Sequence, residues 1–243
     1  MPIINLDLSQ VEVVVFAHLC KDPTLVNLLK NGKDIHYYIA SQILNKSESE
    51  VTKEERSTAK TSTFGIIYGN GAKTLSERVN KPQDWCKAFI KQFYEMFPKA
   101  KEWHNDILLE VEATGQLTLF TNQVLKFTKY PAKYDWQDKN KLYYNPPDIK
   151  NHPVQSIAAL LMAILAGEFW RTKALINRDK YLMINTVHDS LMLDCRPQYV
   201  DQAVSDLQEI VDRLPQIVYN NWKESLIVPI KCEIKGGNSW AEV

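Results

Sequence analysis

The 243-residue sequence has no excess of either charge: lysine plus arginine and aspartate plus glutamate number 29 each. A surface built wholly as a groove for polyanions draws its affinity from phosphate neutralisation and usually carries a basic excess. The balance argues against such a surface and leaves room for a local basic patch. Cysteine is also scarce. Cys20, Cys86, Cys195 and Cys232 lie far apart with no C-x-x-C pair, so a disulfide framework or zinc site is not expected and a reducing compartment is. The start, Met1-Pro2-Ile3-Ile4-Asn5, lacks the basic segment of a signal peptide. The most apolar early run, Val11 to Cys20, contains Glu12 and His18 and is too short to cross a bilayer. Repeats and low-complexity linkers are missing as well. What is left is ordinary globular composition, sized for one large domain or two closely packed ones, with a soluble intracellular protein as the expectation.

What the chain does contain is a sequence of well-marked elements. Ile3 to Leu8 reads as a short, half-apolar strand carrying the carboxylate of Asp7. Ser9-Gln10-Val11-Glu12 fits a capping box opening a helix through His18, and Thr52-Lys53-Glu54-Glu55 fits another. The second helix is expected to run to about Tyr68, where Gly69, Asn70 and Gly71 break it. Helical patterns follow from Pro82 to Phe97 and from Pro98 to about Ala113, with Gly115 as a stop. Residues 116–147 are irregular and suggest hairpins or a loop. Asn151 to Leu175 reads as a largely buried helix. Tyr181–Val187 and Leu191–Cys195 are two apolar strands joined by His188-Asp189-Ser190. A helix over about 197–213 and a strand from Ile227 to Ile234 complete the pattern. The expected class is α+β, an antiparallel sheet covered by helices, with a helical insertion.

Two features point to chemistry. Asp7 sits in one strand and Asp189 at the turn of a hairpin, so in one sheet both carboxylates converge at an edge. Hard carboxylate oxygens with a backbone carbonyl suit Mg²⁺, which keeps other positions for water and substrate phosphates. Two such ions roughly 3.5–4 Å apart activate an attacking hydroxyl and stabilise a leaving oxygen. On spacing alone the plainer alternative is stronger: a strand-end polar residue and a turn residue. The helix from Thr52 shifts the balance, because Arg56, Lys60, Phe64 and Tyr68 recur every fourth residue. At 3.6 residues per turn they form one stripe drifting by roughly 40° per step, two cations followed by two rings. A triphosphate carrying a base asks for that order. A solvated basic turn running into aromatic core is the competing explanation. His104, His152 and the six tryptophans read as packing or surface groups, and Lys126, Lys129 and Lys133 as a solvated loop.

These residues resemble DNA polymerase family A, the bacterial polymerase I and phage group. Asp7-Leu8-Ser9-Gln10-Val11-Glu12 is similar to its motif A, and Asp34-Ile35-His36 to a segment downstream. Arg56-x-x-x-Lys60-x-x-x-Phe64-Gly65-x-x-Tyr68-Gly69 is similar to motif B, and Val187-His188-Asp189-Ser190-Leu191 to motif C. Asn151 through Ala159 resembles the helix start that touches primer-template. Each motif is weak alone; together, in order and over nearly the whole chain, they are strong. The resemblance implies a palm first part over residues 1–33 and fingers with an irregular segment over 34–147. A second part of the palm follows over 148–243, with thumb and exonuclease domain absent.

It also implies roles. Asp7, Asp189 and the Leu8 carbonyl would hold two Mg²⁺ ions. Arg56, Lys60 and His36 would bind a deoxynucleoside triphosphate, Phe64 would stack near base and sugar, and Tyr68 would guard the templating position. Glu12, beside Gln10, would exclude ribonucleotides at the sugar 2′ position, although a capping role for Glu12 stays open. Gln155 and His188 would contact primer-template DNA. The implied location is the cytoplasm of a bacterium or of a phage-infected host. Only Met1 to Leu6 precede motif A, which a naturally split polymerase, a fragment or a decayed remnant would each explain; the split enzyme, with a second polypeptide carrying thumb and remaining palm as partner, is the expectation. Val14 and Pro147 stand where relatives usually place arginine, and Ser190 replaces a common acidic residue. The loop Phe120 to Val124 also lacks the expected Gly-Arg-rich turn, so some DNA contacts must differ. A single-subunit RNA polymerase and an inactive nucleic-acid-binding assembly subunit are the competing functions.

Overall fold

The computed structural model describes residues 2–132 and 138–242, so Lys133 lies outside the described residues. The chain divides into two compact units, residues 1–15 with 155–243, and residues 16–154. The α+β expectation holds.

The first unit is a four-stranded, wholly antiparallel sheet in the order β6-β7-β1-β8. Its strands are β1 (Ile3–Leu8), β6 (Tyr181–Val187), β7 (Ser190–Cys195) and β8 (Cys232–Gly237). Alternation along β1 sorts the side chains: Ile4, Leu6 and Leu8 are fully buried, while Asn5 and Asp7 on the opposite face are only half-buried. Helix α9 (Val200–Trp222) packs on β1 and β8. Its buried stripe, Ala203, Leu207, Ile210, Leu214 and Val218, has helical spacing. The second half of α8 (Pro146–Phe169) continues into a π-helical turn, Trp170–Ala174, and Phe169 meets the Tyr181 ring at 5.8 Å. By length and composition the run over 146–174 is apolar enough to cross a membrane. Ile157, Leu161, Leu165 and Phe169 on it are nonetheless buried in protein.

Four boundaries differ from expectation, each for a local reason. Helix α1 (Val11–Cys20) starts two residues late, because Gln10 takes φ 52° and its carbonyl receives the Val13 and Val14 N–H groups. Gln10, not Ser9, immediately precedes the helix. Helix α8 begins at Pro146, five residues early, since proline's fixed φ suits a first turn that needs no N–H. Helix α9 passes Pro215 and reaches Trp222, because Leu214 and Val218 continue its buried stripe. The last strand is displaced from 227–234 to Cys232–Gly237. Pro229 offers no N–H to a ladder, and β8 pairs with β1 from Leu8↔Cys232 to Ile3↔Gly237.

The second unit is mainly helical: α2 (Pro23–Lys30), α3 (Ile35–Leu44), α4 (Lys53–Ile67), α5 (Ala72–Val79), α6 (Gln83–Met96) and α7 (Pro98–Thr114). Two small hairpins, β2–β3 (Gln116–Thr118 with Val124–Lys126) and β4–β5 (Tyr130–Pro131 with Leu142–Tyr143), fill the irregular stretch. Buried Asp22 ties distant helices together. Its Oδ1 accepts the Thr24 and Leu25 N–H groups to cap α2, and its Oδ2 accepts the Lys99 N–H in the first turn of α7. Helix α4 shows the expected capping box, with Thr52 Oγ1 accepting the Glu55 N–H and the Glu55 carboxylate accepting the Thr52 N–H. Past its end, Gly69 takes φ +75°, and a Cβ there would stand 2.8 Å from Lys150 Cδ and 3.1 Å from Pro147 Cα. Only glycine fits.

Candidate functional site

In the first unit, the β1–β7 register decides where the carboxylates fall. Asp7 stands opposite Ser190, and Asp189 immediately precedes Ser190 in the β6–β7 turn. The Leu8 N–H donates to the Asp189 carbonyl at 3.0 Å, which fastens the turn to β1. Ser190 Oγ donates to the Val187 carbonyl at 2.8 Å and closes the same turn from within. His188 reaches the reversal with φ 53°, a left-handed conformation uncommon outside glycine and asparagine. Asp7, Leu8, His188 and Asp189 therefore gather at one end of the sheet, with Asp7 and Asp189 half-buried and His188 exposed. On its other side Asp7 pairs across to Glu233 of β8, an exposed carboxylate 3.2 Å from Lys235. Glu233 lies inside the stretch expected as the last strand, but its place beside Asp7 follows from the β1–β8 register, which spacing along the chain does not give.

Among the described residues no three His, Cys, Asp or Glu side chains form a ready-made metal site. Two carboxylates and a carbonyl still fit a hard divalent cation, which commonly binds protein through one or two carboxylates and takes its other ligands from substrate and water. Glu12 is half-buried on α1, and Gln10 keeps a buried Oε1 without a hydrogen-bond partner. Gln155 is exposed on α8.

In the second unit, α4 presents Arg56, Lys60, Phe64 and Tyr68 along one face as the spacing predicts. Lys60 is exposed and the other three are half-buried. The Phe64 ring lies 5.9 Å from Tyr68 and 5.9 Å from His36, so three rings form a row. Arg56 is held in place. Its Nε and Nη2 donate to Asp34 Oδ2 at 2.9 and 2.7 Å, and its guanidinium lies 5.3 Å from the Tyr37 ring centre. The other oxygen of Asp34 caps α3 by accepting the His36 and Tyr37 N–H groups at 2.9 and 3.1 Å. Burial raises the Asp34 carboxyl's pKa, but the bonds from Arg56 and the α3 backbone outweigh it and hold the group below the usual carboxylate range.

His36 is fully buried, and neither ring nitrogen has a hydrogen-bond partner. Burial pushes its pKa down to about 4; Asp34 opposes this, and Arg56 and Lys60 reinforce it, leaving a neutral ring at pH 7. His104 is a packing group: its Nδ1 bonds the Tyr94 hydroxyl at 2.9 Å and burial lowers its pKa to about 3. His152 stacks on Phe127 at 5.8 Å. Sequence reasoning overlooked the grip of Asp34 on Arg56. The signal available was Asp34 directly before an apolar helix, which marks a cap but not the second use of its carboxylate.

Comparison with known proteins converges on one family. The family model described as DNA polymerase family A matches residues 1–242. The chain is 28% identical to DNA polymerase I of Aquifex aeolicus, over 97% of this chain and 38% of that protein. It is 28% identical to the DNA polymerase of Bacillus phage SP01, over 99% of this chain and 26% of that one. It is 30% identical to the thermostable DNA polymerase I of Thermus aquaticus, over 98% and 27%. The chain thus spans between about a quarter and two fifths of the length of these relatives. Its fold matches the POL domain of Pol1 from M. smegmatis, solved in complex with DNA primer-template and dNTP. The TM-score there is 0.81 at 20% identity, with 99% of this chain and 40% of that one covered.

Proposed function

The chain belongs to DNA polymerase family A, and from that membership we propose that it is the nucleotide-adding core of a template-directed DNA polymerase. A primer 3′-hydroxyl attacks the α-phosphate of a deoxynucleoside triphosphate. A new phosphorus–oxygen bond forms, the bond to the β-phosphate oxygen breaks, and pyrophosphate leaves. No protein nucleophile is needed, and positioning with charge neutralisation supplies most of the rate.

In this reading Asp7, Asp189 and the Leu8 carbonyl would hold two Mg²⁺ ions, whose contribution when bound would be to acidify the attacking hydroxyl and neutralise phosphate charge. Arg56 and Lys60 bind the triphosphate. His36 joins them as a neutral N–H donor, which requires its buried ring to come into contact with the substrate. Phe64 supports base and sugar, and Tyr68 guards the templating position. Gln10 and Glu12 select the deoxyribose, while Gln155 and His188 contact primer-template. The corresponding division is palm over 1–33 and 148–243, with fingers over 34–147.

The observation that carries the reading is the β1–β7 register, which sets Asp7 and Asp189 at one sheet end. A second polypeptide segment against the sheet completes the proposed assembly. Support comes from edge strand β6, where Leu182, Ile184 and Val187 remain exposed. The bacterial and phage sources of the relatives favour a cytoplasmic site of action. The test is extension of a labelled primer by the assembled protein. Deoxynucleotide addition that needs Mg²⁺ and stops with chelator is expected. Failure to extend under any divalent cation, alone or with a thumb-bearing partner, refutes the proposal.

A further inference from the structure

Asp34 uses both carboxylate oxygens, and for different tasks. Oδ1 faces the backbone of α3 and closes its first turn, while Oδ2 collects two N–H groups from Arg56, 22 residues further along the chain. A guanidinium has five N–H donors in a rigid plane. Asp34 engages Nε–H and one Nη2–H, so three donors, on Nη1 and the far side of Nη2, remain. The Tyr37 ring at 5.3 Å limits rotation of the plane out of that orientation. The two side chains are 31% and 32% exposed, enough screening that the pair adds little to stability, which directs attention to orientation.

We propose that Asp34 is a positioning residue that holds Arg56 with its free guanidinium edge turned to receive the triphosphate. The inference rests on the nucleotide reading above and extends it from the contacting residue to the one behind it. An arginine with four side-chain torsions loses considerable freedom when it grips an anion. A side chain already fixed by Asp34 and Tyr37 has lost most of that freedom in advance, and the saving appears as affinity. The opposite role, a carboxylate competing with phosphate for Arg56, predicts the opposite sign.

Asparagine separates the two tasks. An Asn amide oxygen caps a helix as well as aspartate does, yet Asp34→Asn offers Arg56 no anionic acceptor. The experiment titrates dATP with magnesium, and separately deoxyadenosine, onto the full chain and onto Asp34→Asn, Asp34→Ala, Arg56→Ala and the Asp34→Asn/Arg56→Ala double variant. Melting is followed in parallel. Asp34→Asn is expected to weaken dATP binding by about five- to tenfold, to leave deoxyadenosine unchanged, and to shift Tm by less than about 3 °C. In the Arg56→Ala background the same change is expected to have no effect on dATP. Equal or tighter dATP binding by Asp34→Asn overturns the proposal. So does a melting loss as large as that of Asp34→Ala, which assigns Asp34 to capping alone. A full chain that binds no dATP is a separate result: it refutes nucleotide binding here, and the role of Asp34 with it.

Discussion

In the unit over residues 16–154 the cationic and aromatic face is set by near neighbours in sequence. A capping box starts α4, helical spacing lines up Arg56 through Tyr68, and Asp34 anchors Arg56 from only 22 residues away. In the other unit the acidic pair is set by distant ones. Asp7 and Asp189 come to the same end of the sheet because strands from opposite ends of the chain share a ladder. That ladder leads into a turn whose His188 adopts a left-handed φ of 53°. Local design tolerates change piece by piece. Long-range register does not, since a slip of one residue turns every side chain of a strand to the other face.

That contrast can be tested from its strongest consequence downward. If the proposed function holds, Asp189→Ala is expected to lower primer extension at least about a hundredfold, with melting nearly unchanged because the side chain is not core. Retained extension breaks the link between register and reaction.

Acid stability distinguishes the units next. His36 and His104 are both buried in the helical unit, with pKa values pushed down by burial to about 4 and about 3. The unfolded chain therefore takes up protons at these sites below its ordinary histidine pKa of about 6.5, before the folded one does. The stability they permit is complete above that value and is lost as pH falls toward the folded values. Replacing His36 by Phe is expected to recover about 1–3 kcal/mol of the loss between pH 7 and 4.5, measured as the change in denaturant midpoint. An unchanged acid slope removes His36 from the account.

Thr52→Ala breaks the capping box and is expected to cost about 1 kcal/mol in chemical denaturation, with Arg56 to Tyr68 still on one face. The smallest expected effect has the opposite sign. His188→Gly relieves the left-handed turn and is expected to stabilise by about 0.5 kcal/mol. A loss of primer affinity in the same variant would assign the imidazole to DNA contact rather than to the turn.

Sequence revealed the locally written parts. Thr52 and Glu55 mark α4 because a cap and its reciprocal partner lie three residues apart. Gly115 marks the end of α7 because its φ of +75° suits glycine. The β6–β7 hairpin showed itself as two apolar runs around a polar turn. The remainder needed three dimensions. Strand β8 was sought over Ile227 to Ile234, where apolar content is highest, yet pairing with β1 and the missing N–H of Pro229 moved it to Cys232–Gly237. Glu233 stands across from Asp7 only through that β1–β8 register. The last helix was expected to stop near residue 213, and only packing of Leu214 and Val218 carries it past Pro215 to Trp222. The bond between Asp34 and Arg56 joins two helices, and no periodicity within either one announces it.

Gly69 has a mechanical consequence. Its backbone passes so close to Pro147 and Lys150, at a φ that L side chains rarely adopt, that an added side chain is strained there, and the peptide on its N-terminal side belongs to Tyr68. A side chain added at this position would therefore press the start of α8 and the chain just after Tyr68 apart, so the fit of these two segments leaves room only for hydrogen at that carbon.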